Sequence, residues 1–196
     1  MTQQNVDYDS LAGNIIDEIN RLRANPKEYV KELEAWKGQY TDENRVKREN
    51  GRTLATKEGK KAVDEAIAVL NTTPSLGQLK NSQGLSKAAL DHLHDLGPKG
   101  GVSHTGSDGS DVQARIERYG TIGDDGGMWS ENIGFGMETA REVVLQQIID
   151  DGVSTRGHRK NLLNEKINAV GVACGPHAKY EIMSVLDFAS NYTENS

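Results

Sequence analysis

The sequence is organised around one short stretch, Arg156-Gly157-His158-Arg159-Lys160-Asn161-Leu162-Leu163. It places a histidine directly after a glycine, at the predicted start of a short helix. Three candidate partners precede His158, namely His104, Glu131 and Asp150. Two imidazoles and two carboxylates are the ingredients of a divalent-metal site or of proton-transfer chemistry. Because these residues are far apart in sequence, only the fold could bring them together, and ordinary surface or hydrogen-bonded roles stay open for each.

Size and composition limit the class of protein. The 196 residues suit one domain, and a single cysteine, Cys174, allows no internal disulfide. The chain carries 23 basic and 29 acidic residues, a net charge of −6, which argues against a nucleic-acid partner. No apolar run approaches the roughly 18 residues of a membrane-spanning helix. Residues 1–5 lack the basic start and apolar stretch of a signal peptide, so the protein is not exported by that route or its start has been trimmed.

Hydrophobic periodicity predicts an α+β protein. Leu11, Ile15, Ile19 and Leu22 recur at helical spacing, and further helical patterns follow in the first half of the chain. Strand patterns cluster in the second half, where a turn at Gly175-Pro176-His177 joins two strands. We expect helices that cover a mostly antiparallel sheet. His177, in this turn, is expected to play no part in a site.

One predicted strand, from Trp129 to Gly136, presents Glu131 on the same face as Ile133 and Phe135. A carboxylate among large apolar side chains must find hydrogen-bond donors or a cation, or its pKa rises. Glu131 is therefore a candidate site residue with a physical reason.

Two other features have structural interpretations. Residues 41–61 are dense in charge and poor in apolar side chains, which predicts a peripheral solvated loop or a loosely held helix. His92 lies on an apolar helical stripe and is interpreted as a core histidine, whereas His94 faces solvent. Cys174 lies among small apolar residues and is also assigned to the core.

Several motifs occur in one order, namely Arg23-Ala24-Asn25-Pro26, Ser103-His104-Thr105-Gly106, Ser130-Glu131-Asn132-Ile133, the stretch around His158, and a final hairpin. In this order, from about residue 11 to residue 192, the chain resembles the CAP superfamily of cysteine-rich secretory proteins, antigen 5 and plant pathogenesis-related 1 proteins. It looks closest to the cysteine-poor branch of bacteria and unicellular eukaryotes. The resemblance implies an α-β-α sandwich with a central, mostly antiparallel sheet. It implies one domain over residues 1–196, with residues 41–61 as a charged insertion.

The resemblance also implies a cleft with two histidines and two acidic residues. By motif, His104, Glu131 and His158 match, and the fourth position falls at Asp150, with Asp151 nearly as good. We expect these residues to bind zinc or another divalent metal. The alternative is a polar, hydrogen-bonded cleft that holds no ion.

Function is the least determined property, because the fold does not confer one activity. Members of the family are linked to sterol and fatty-acid binding, to secreted signalling or defence, and in isolated cases to proteolysis. We expect a non-enzymatic, extracellular ligand-binding module, with a lipid, a sterol or a protein as partner; a cytoplasmic location is the alternative. The other candidates are a metal-dependent hydrolase or protease and a lipid carrier at a membrane surface. The sequence has no Gly-x-Ser-x-Gly or His-Glu-x-x-His motif and no polybasic segment.

Overall fold

The computed structural model describes residues 6–123 and 125–195. Its helices are α1 Tyr8–Ala24, α2 Pro26–Gly38, α3 Lys60–Thr72, α4 Gln83–Leu96, α5 Val112–Glu117, α6 Ala140–Ile149 and α7 Gly157–Leu162. Its strands are β1 Arg45–Lys47, β2 Thr53–Ala55, β3 Lys80–Asn81, β4 Gly120–Ile122, β5 Trp129–Phe135, β6 Ala169–His177, β7 Glu181–Ala189 and β8 Tyr192–Glu194. Within the described ranges, every helix is too short or too polar to cross a membrane.

Local sequence signals explain where the first helices begin and end. Asp7 caps α1, since its carboxylate accepts the Ser10 N–H, and the predicted apolar stripe of this helix is buried. Asn25 breaks the helix, and Pro26 occupies the first position of α2, where its missing N–H costs no hydrogen bond.

The central sheet has the strand order β3-β6-β7-β5. β7 pairs antiparallel with both β5 and β6, and only the short β3 pairs parallel, with β6. Alternate residues of β6 and β7 face opposite layers, as the twofold side-chain period of a strand requires. Val172 and Leu186 pack in the core with α1, α2, α3 and α6, whereas Ala173 and Val185 pack with α4. The predicted α-β-α sandwich with a mostly antiparallel sheet is confirmed.

The prediction of a solvated loop or loose helix at residues 41–61 is wrong. Strands β1 and β2 pair antiparallel there, and Val46 is fully buried. Arg48 is buried as well: its Nε and Nη2 donate to the two carboxylate oxygens of Glu142, both at 2.7 Å, and its Nη1 donates to the Gly136 carbonyl. The charge density was misleading because this arginine pairs inside the protein with a partner distant in sequence.

A second anchor fixes the end of this hairpin. The carboxylate of Asp151 accepts three successive backbone N–H groups, those of Lys57, Glu58 and Gly59, at 2.6, 2.7 and 3.1 Å. Gly59 has a φ of 65°, and a Cβ there would overlap the Glu43 carbonyl oxygen. Only glycine therefore fits this position.

The middle of the sheet contains an unusual carboxyl group. Asp187, on β7, is fully buried opposite Glu131 of β5, and neither of its oxygens has a hydrogen-bond partner among the described residues. Burial, followed by the negative charge of Glu131, raises the pKa of Asp187 well above its usual range. Both effects favour the neutral form of the acid.

Replacing the buried arginine should weaken the fold. Arg48→Ala leaves Glu142 buried without its cation, so we expect the free energy of unfolding to fall by about 3 kcal/mol. Urea denaturation would measure this. Arg45→Ala in the same hairpin is the control, because its exposed pair with Asp42 should contribute less than about 1 kcal/mol. Equal, small losses in both variants would contradict the buried pairing.

Asp187→Asn should change how stability depends on pH. A carboxyl whose folded pKa lies above its unfolded value contributes stability that is present below the unfolded pKa and is lost as pH rises. Asparagine keeps the shape of the neutral acid but cannot lose a proton. The variant should therefore gain more in melting temperature, relative to the wild type, at pH 7.5 than at pH 5. The same difference at both pH values would contradict a raised pKa.

Candidate functional site

His104 and His158 line one cleft of about 520 Å³ at the edge of strand β5. His104 lies in the loop after α4, and His158 lies in the first turn of α7. The remaining walls come from α2, β2, β5, α6 and the segments beside them, and they include Trp36, Tyr40, Leu54, Val102, Ile133, Phe135, Met137, Gln146, Gln147, Ile149 and Val153. The fold thus brings together the two histidines identified in the sequence.

His104 is held by a buried carboxylate. Its Nδ1 lies 2.7 Å from Oε1 of Glu131, whose other oxygen accepts a 2.8 Å hydrogen bond from Nη2 of Arg115. Burial raises the pKa of Glu131, but the hydrogen bond with His104 and the neighbouring His92 and Arg115 more than offset it, so the pKa is lowered. Glu131 is therefore an ionised acceptor and leaves the proton on Nδ1 of His104.

His92 supports the same loop from inside. Its Nε2 lies 2.8 Å from the carbonyl oxygen of Ser103, to which it donates, and it is fully buried. Burial is the main reason why the pKa of His92 is lowered. The core assignment is confirmed, but the expectation that both ring nitrogens are hydrogen-bonded is not met, because Nδ1 has no partner among the described residues. The hydrogen bond of Nε2 adds a role: His92 fixes the residue that precedes His104. His94 is exposed, as predicted.

His158 is held by Asp150 in a similar way. Oδ1 of Asp150 lies 2.6 Å from Nδ1 of His158, and Oδ2 accepts the backbone N–H groups of His158 and Arg159 at 2.9 and 3.2 Å. The carboxylate is an acceptor only, so it keeps the proton on Nδ1. Nε2 of each imidazole forms no hydrogen bond with a described residue, and in the neutral ring it carries a free lone pair. The His158 side chain is 25% exposed and that of His104 is 55% exposed, so both can be reached by a ligand.

Asp151 has a different task from Asp150. It lines the cleft, but its carboxylate binds the backbone of Lys57, Glu58 and Gly59. The two aspartates therefore have different roles. Asp150 orients the imidazole of His158, and Asp151 holds the end of the β1–β2 hairpin in place.

The turn predicted at Gly175-Pro176-His177 lies three residues further on. β6 extends through His177, and the chain turns at residues 178–180. The ring is buried: Nε2 lies 3.0 Å from the Gly101 carbonyl oxygen, and Nδ1 accepts the N–H groups of Lys179 and Tyr180. His177 thus stabilises the turn structurally and does not line the cleft.

Sequence reasoning missed three polar residues of the site region, Arg115, Gln146 and Gln147. Gln147 is 1% exposed and lines the cleft, yet its Oε1 has no hydrogen-bond partner among the described residues. Gln146 hydrogen-bonds the backbone of Phe135. The sequence feature that could have pointed to Gln146 and Gln147 is that two amides interrupt the apolar run of α6.

The four predicted metal ligands form two imidazole–carboxylate pairs. In residues 6–123 and 125–195, no three His, Cys, Asp or Glu side chains are arranged to hold one ion. The pairs do fit a metal held by two imidazoles, since metal-binding histidines usually donate their second ring N–H to a carboxylate or carbonyl. Coordination by all four residues stays a prediction.

Several solved structures are similar to this chain. An outer surface protein from Borrelia burgdorferi has 23% identity and a TM-score of 0.48, over 70% of this chain and 96% of that one. An extracellular protein containing an SCP domain from Bacillus anthracis has 22% identity and a TM-score of 0.44, over 67% of this chain and 39% of that one. NaASP2, solved with Zn²⁺, has 14% identity and a TM-score of 0.43, over 97% of this chain and 84% of that one.

Sequence comparison identifies the family. No curated protein matches the chain significantly. The family model described as "Cysteine-rich secretory protein family", or CAP, matches residues 16–188. This match includes both imidazole–carboxylate pairs and all of the four-stranded sheet except the last residue of β7. The chain therefore belongs to the CAP family of cysteine-rich secretory proteins.

Proposed function

We propose that this CAP domain is a ligand-binding module whose cleft holds a divalent metal, with zinc as the first candidate, between Nε2 of His104 and Nε2 of His158. One observation carries the proposal: in both imidazoles Nδ1 is hydrogen-bonded to a carboxylate, so both Nε2 lone pairs are free at one cleft. Neutral imidazole is a preferred zinc ligand.

In this proposal the carboxylates do not bind the metal but hydrogen-bond to the imidazoles that bind it. Glu131 and Asp150 fix the tautomer and the ring orientation, and they make each imidazole a stronger ligand. Direct coordination would require them to give up these bonds, which for Glu131 include the buried pair with Arg115. Two protein ligands leave coordination positions for water or for a group of the bound ligand.

Most of the cleft wall is apolar, which favours a ligand with an apolar part. Trp36, Leu54, Phe135, Ile149 and Val153 line it. A lipid or sterol with an oxygen-bearing head group is a second candidate, since such a molecule could place its head near the metal and its tail along this wall. An extracellular location remains the expectation drawn from the family.

Zinc should stabilise the folded protein. Binding to the folded state alone adds about 2.7 kcal/mol when free metal exceeds Kd a hundredfold. The gain should shrink below about pH 6, because imidazole has a reference pKa of about 6.5 and protons then compete with the metal. Thermal denaturation with and without zinc, at pH 7.5 and pH 5.5, would measure this.

The variants His158→Ala and His94→Ala make this test specific. The first removes one of two ligands and should abolish most of the zinc effect, whereas His94 is exposed and its loss should change nothing. His177→Ala is unsuitable as a control because that ring is buried. No zinc effect at neutral pH, or equal losses in both variants, would leave a polar cleft without metal as the better description.

Bound lipid can be tested directly. If the apolar wall holds a lipid or sterol, organic extraction of the purified protein followed by mass spectrometry should recover it in about equimolar amount. Leu54→Arg, which places a charge on the wall, should reduce the yield severalfold. A yield that is unchanged in this variant would place the lipid elsewhere.

A further inference from the structure

The outer edge of β5 carries backbone groups that point away from the sheet. The N–H of Gly136 donates to the Ile182 carbonyl, and the N–H of Ser190 donates to the Met128 carbonyl. Both pairs follow the register of β5 with β7. Because bonded pairs alternate along an antiparallel ladder, the even-numbered residues of β5 bond to β7. Its odd-numbered residues direct their N–H and C=O groups outward.

At one outward position, Phe135, the side chain of Gln146 already takes the place of a neighbouring strand. The Gln146 carboxamide accepts the Phe135 N–H through Oε1 at 3.3 Å and donates to the Phe135 carbonyl through Nε2 at 3.0 Å. A carboxamide carries the same donor and acceptor as a peptide unit. At Phe135, therefore, a side chain makes the two hydrogen bonds that a neighbouring strand would make.

The next two outward positions have no such partner. Among the described residues, nothing hydrogen-bonds the outward N–H or C=O of Ile133 or Glu131. Ile133 lines the cleft. Glu131 is 6% exposed as a whole although its side chain is 0% exposed, so the accessible atoms are those of its backbone. Backbone groups in such a position require a partner from outside the chain.

Gln147 is a separate observation in the same cleft. Its side chain is almost fully buried, it lines the cleft, and its Oε1 has no partner within the described ranges. Buried amides are normally hydrogen-bonded. An unpaired amide beside an unpaired strand edge indicates a ligand that is rich in hydrogen-bonding groups.

We propose that the cleft binds an extended peptide whose backbone pairs with β5 at Ile133 as an added strand. Only an extended backbone offers alternating N–H and C=O groups at the spacing of a strand edge. An acyl chain or a sterol would leave the Ile133 and Glu131 groups unpaired. The proposal rests on the cleft being a ligand site, as proposed above, but it does not require the metal.

The walls also define the chemistry of the peptide. Alternate side chains of an extended peptide point in opposite directions, and Leu54, Tyr40 and Val102 are among the apolar cleft residues that they could meet. Lys57 lines the cleft, is exposed, and forms no ion pair with a described residue. This charge favours an acidic residue near one end of the peptide.

Selection from a library of displayed random heptapeptides would test the proposal, with EDTA present so that metal binding plays no part. The counter-selection uses Ile133→Pro, which removes an outward N–H without breaking a hydrogen bond to β7. The substitution also removes a buried side chain that packs with α4, so melting temperature is measured for the variant as well. Peptides enriched on the wild type should contain alternating apolar residues and an acidic residue, and should bind the variant about tenfold more weakly. Lys57→Glu should weaken the binding of the acidic peptides further.

A methylation scan of one selected peptide keeps the test independent of how the proline variant folds. N-methylation at the residues that face β5 should lower affinity about tenfold, whereas methylation at the intervening residues should change it less than about twofold. No enriched peptide, an absence of alternation, or binding that appears only with zinc would overturn the added-strand proposal. A failure of zinc to stabilise the protein would leave it intact.

Discussion

Asp150 connects the end of α6 to the start of α7 and fixes the position of His158, so the geometry of the site depends on it. It ends α6 in the left-handed conformation, with a φ of 56°, which aspartate tolerates better than most residues. Its carboxylate then begins α7 by accepting the N–H groups of His158 and Arg159, and it binds the imidazole as well. Arg156 tightens the same turn, since its guanidinium binds the Asp150 carbonyl and the carboxylate of Glu58. Together these hydrogen bonds restrict rotation of the His158 ring, as a residue that binds a metal with fixed geometry would require.

In the other half of the site, His104, His92 and the buried cation Arg115 together favour the ionised form of Glu131. Arg115 is 1% exposed and pairs with Glu131 at 2.8 Å, whereas Asp187, opposite Glu131, has no such cation bound to it among the described residues. Accordingly, the pKa of Glu131 is lowered while that of Asp187 is raised. The charge is therefore favoured on Glu131, which binds His104, and the neutral form is favoured for Asp187 in the middle of the sheet. A second ionised carboxylate would weaken this arrangement, since like charges at close range oppose each other.

The sequence was informative where a local pattern determines structure. The stripe of α1, the strand from Trp129 and the histidines of the cleft follow from periodicity and motif order. Charge alone was a poor guide to burial, because Arg48 is buried by a carboxylate 94 positions away, which no local pattern encodes. Asp150 and Asp151 are adjacent and chemically identical, so only the rotation of the chain at the end of α6 decides which one meets the imidazole. Gln147 was missed because two amides within the apolar run of α6 do not by themselves indicate a site.

We propose that zinc binds to Nε2 of His104 and Nε2 of His158, while Glu131 and Asp150 keep Nδ1 of each ring protonated. Nitrogen-15 NMR of the histidine side chains during a zinc titration tests it most directly. We predict that zinc shifts the Nε2 resonances of these two residues, that their Nδ1 atoms stay protonated, and that His94 does not respond. Metal-induced shifts at Nδ1, or a response of His94 without one from His104 and His158, would contradict it.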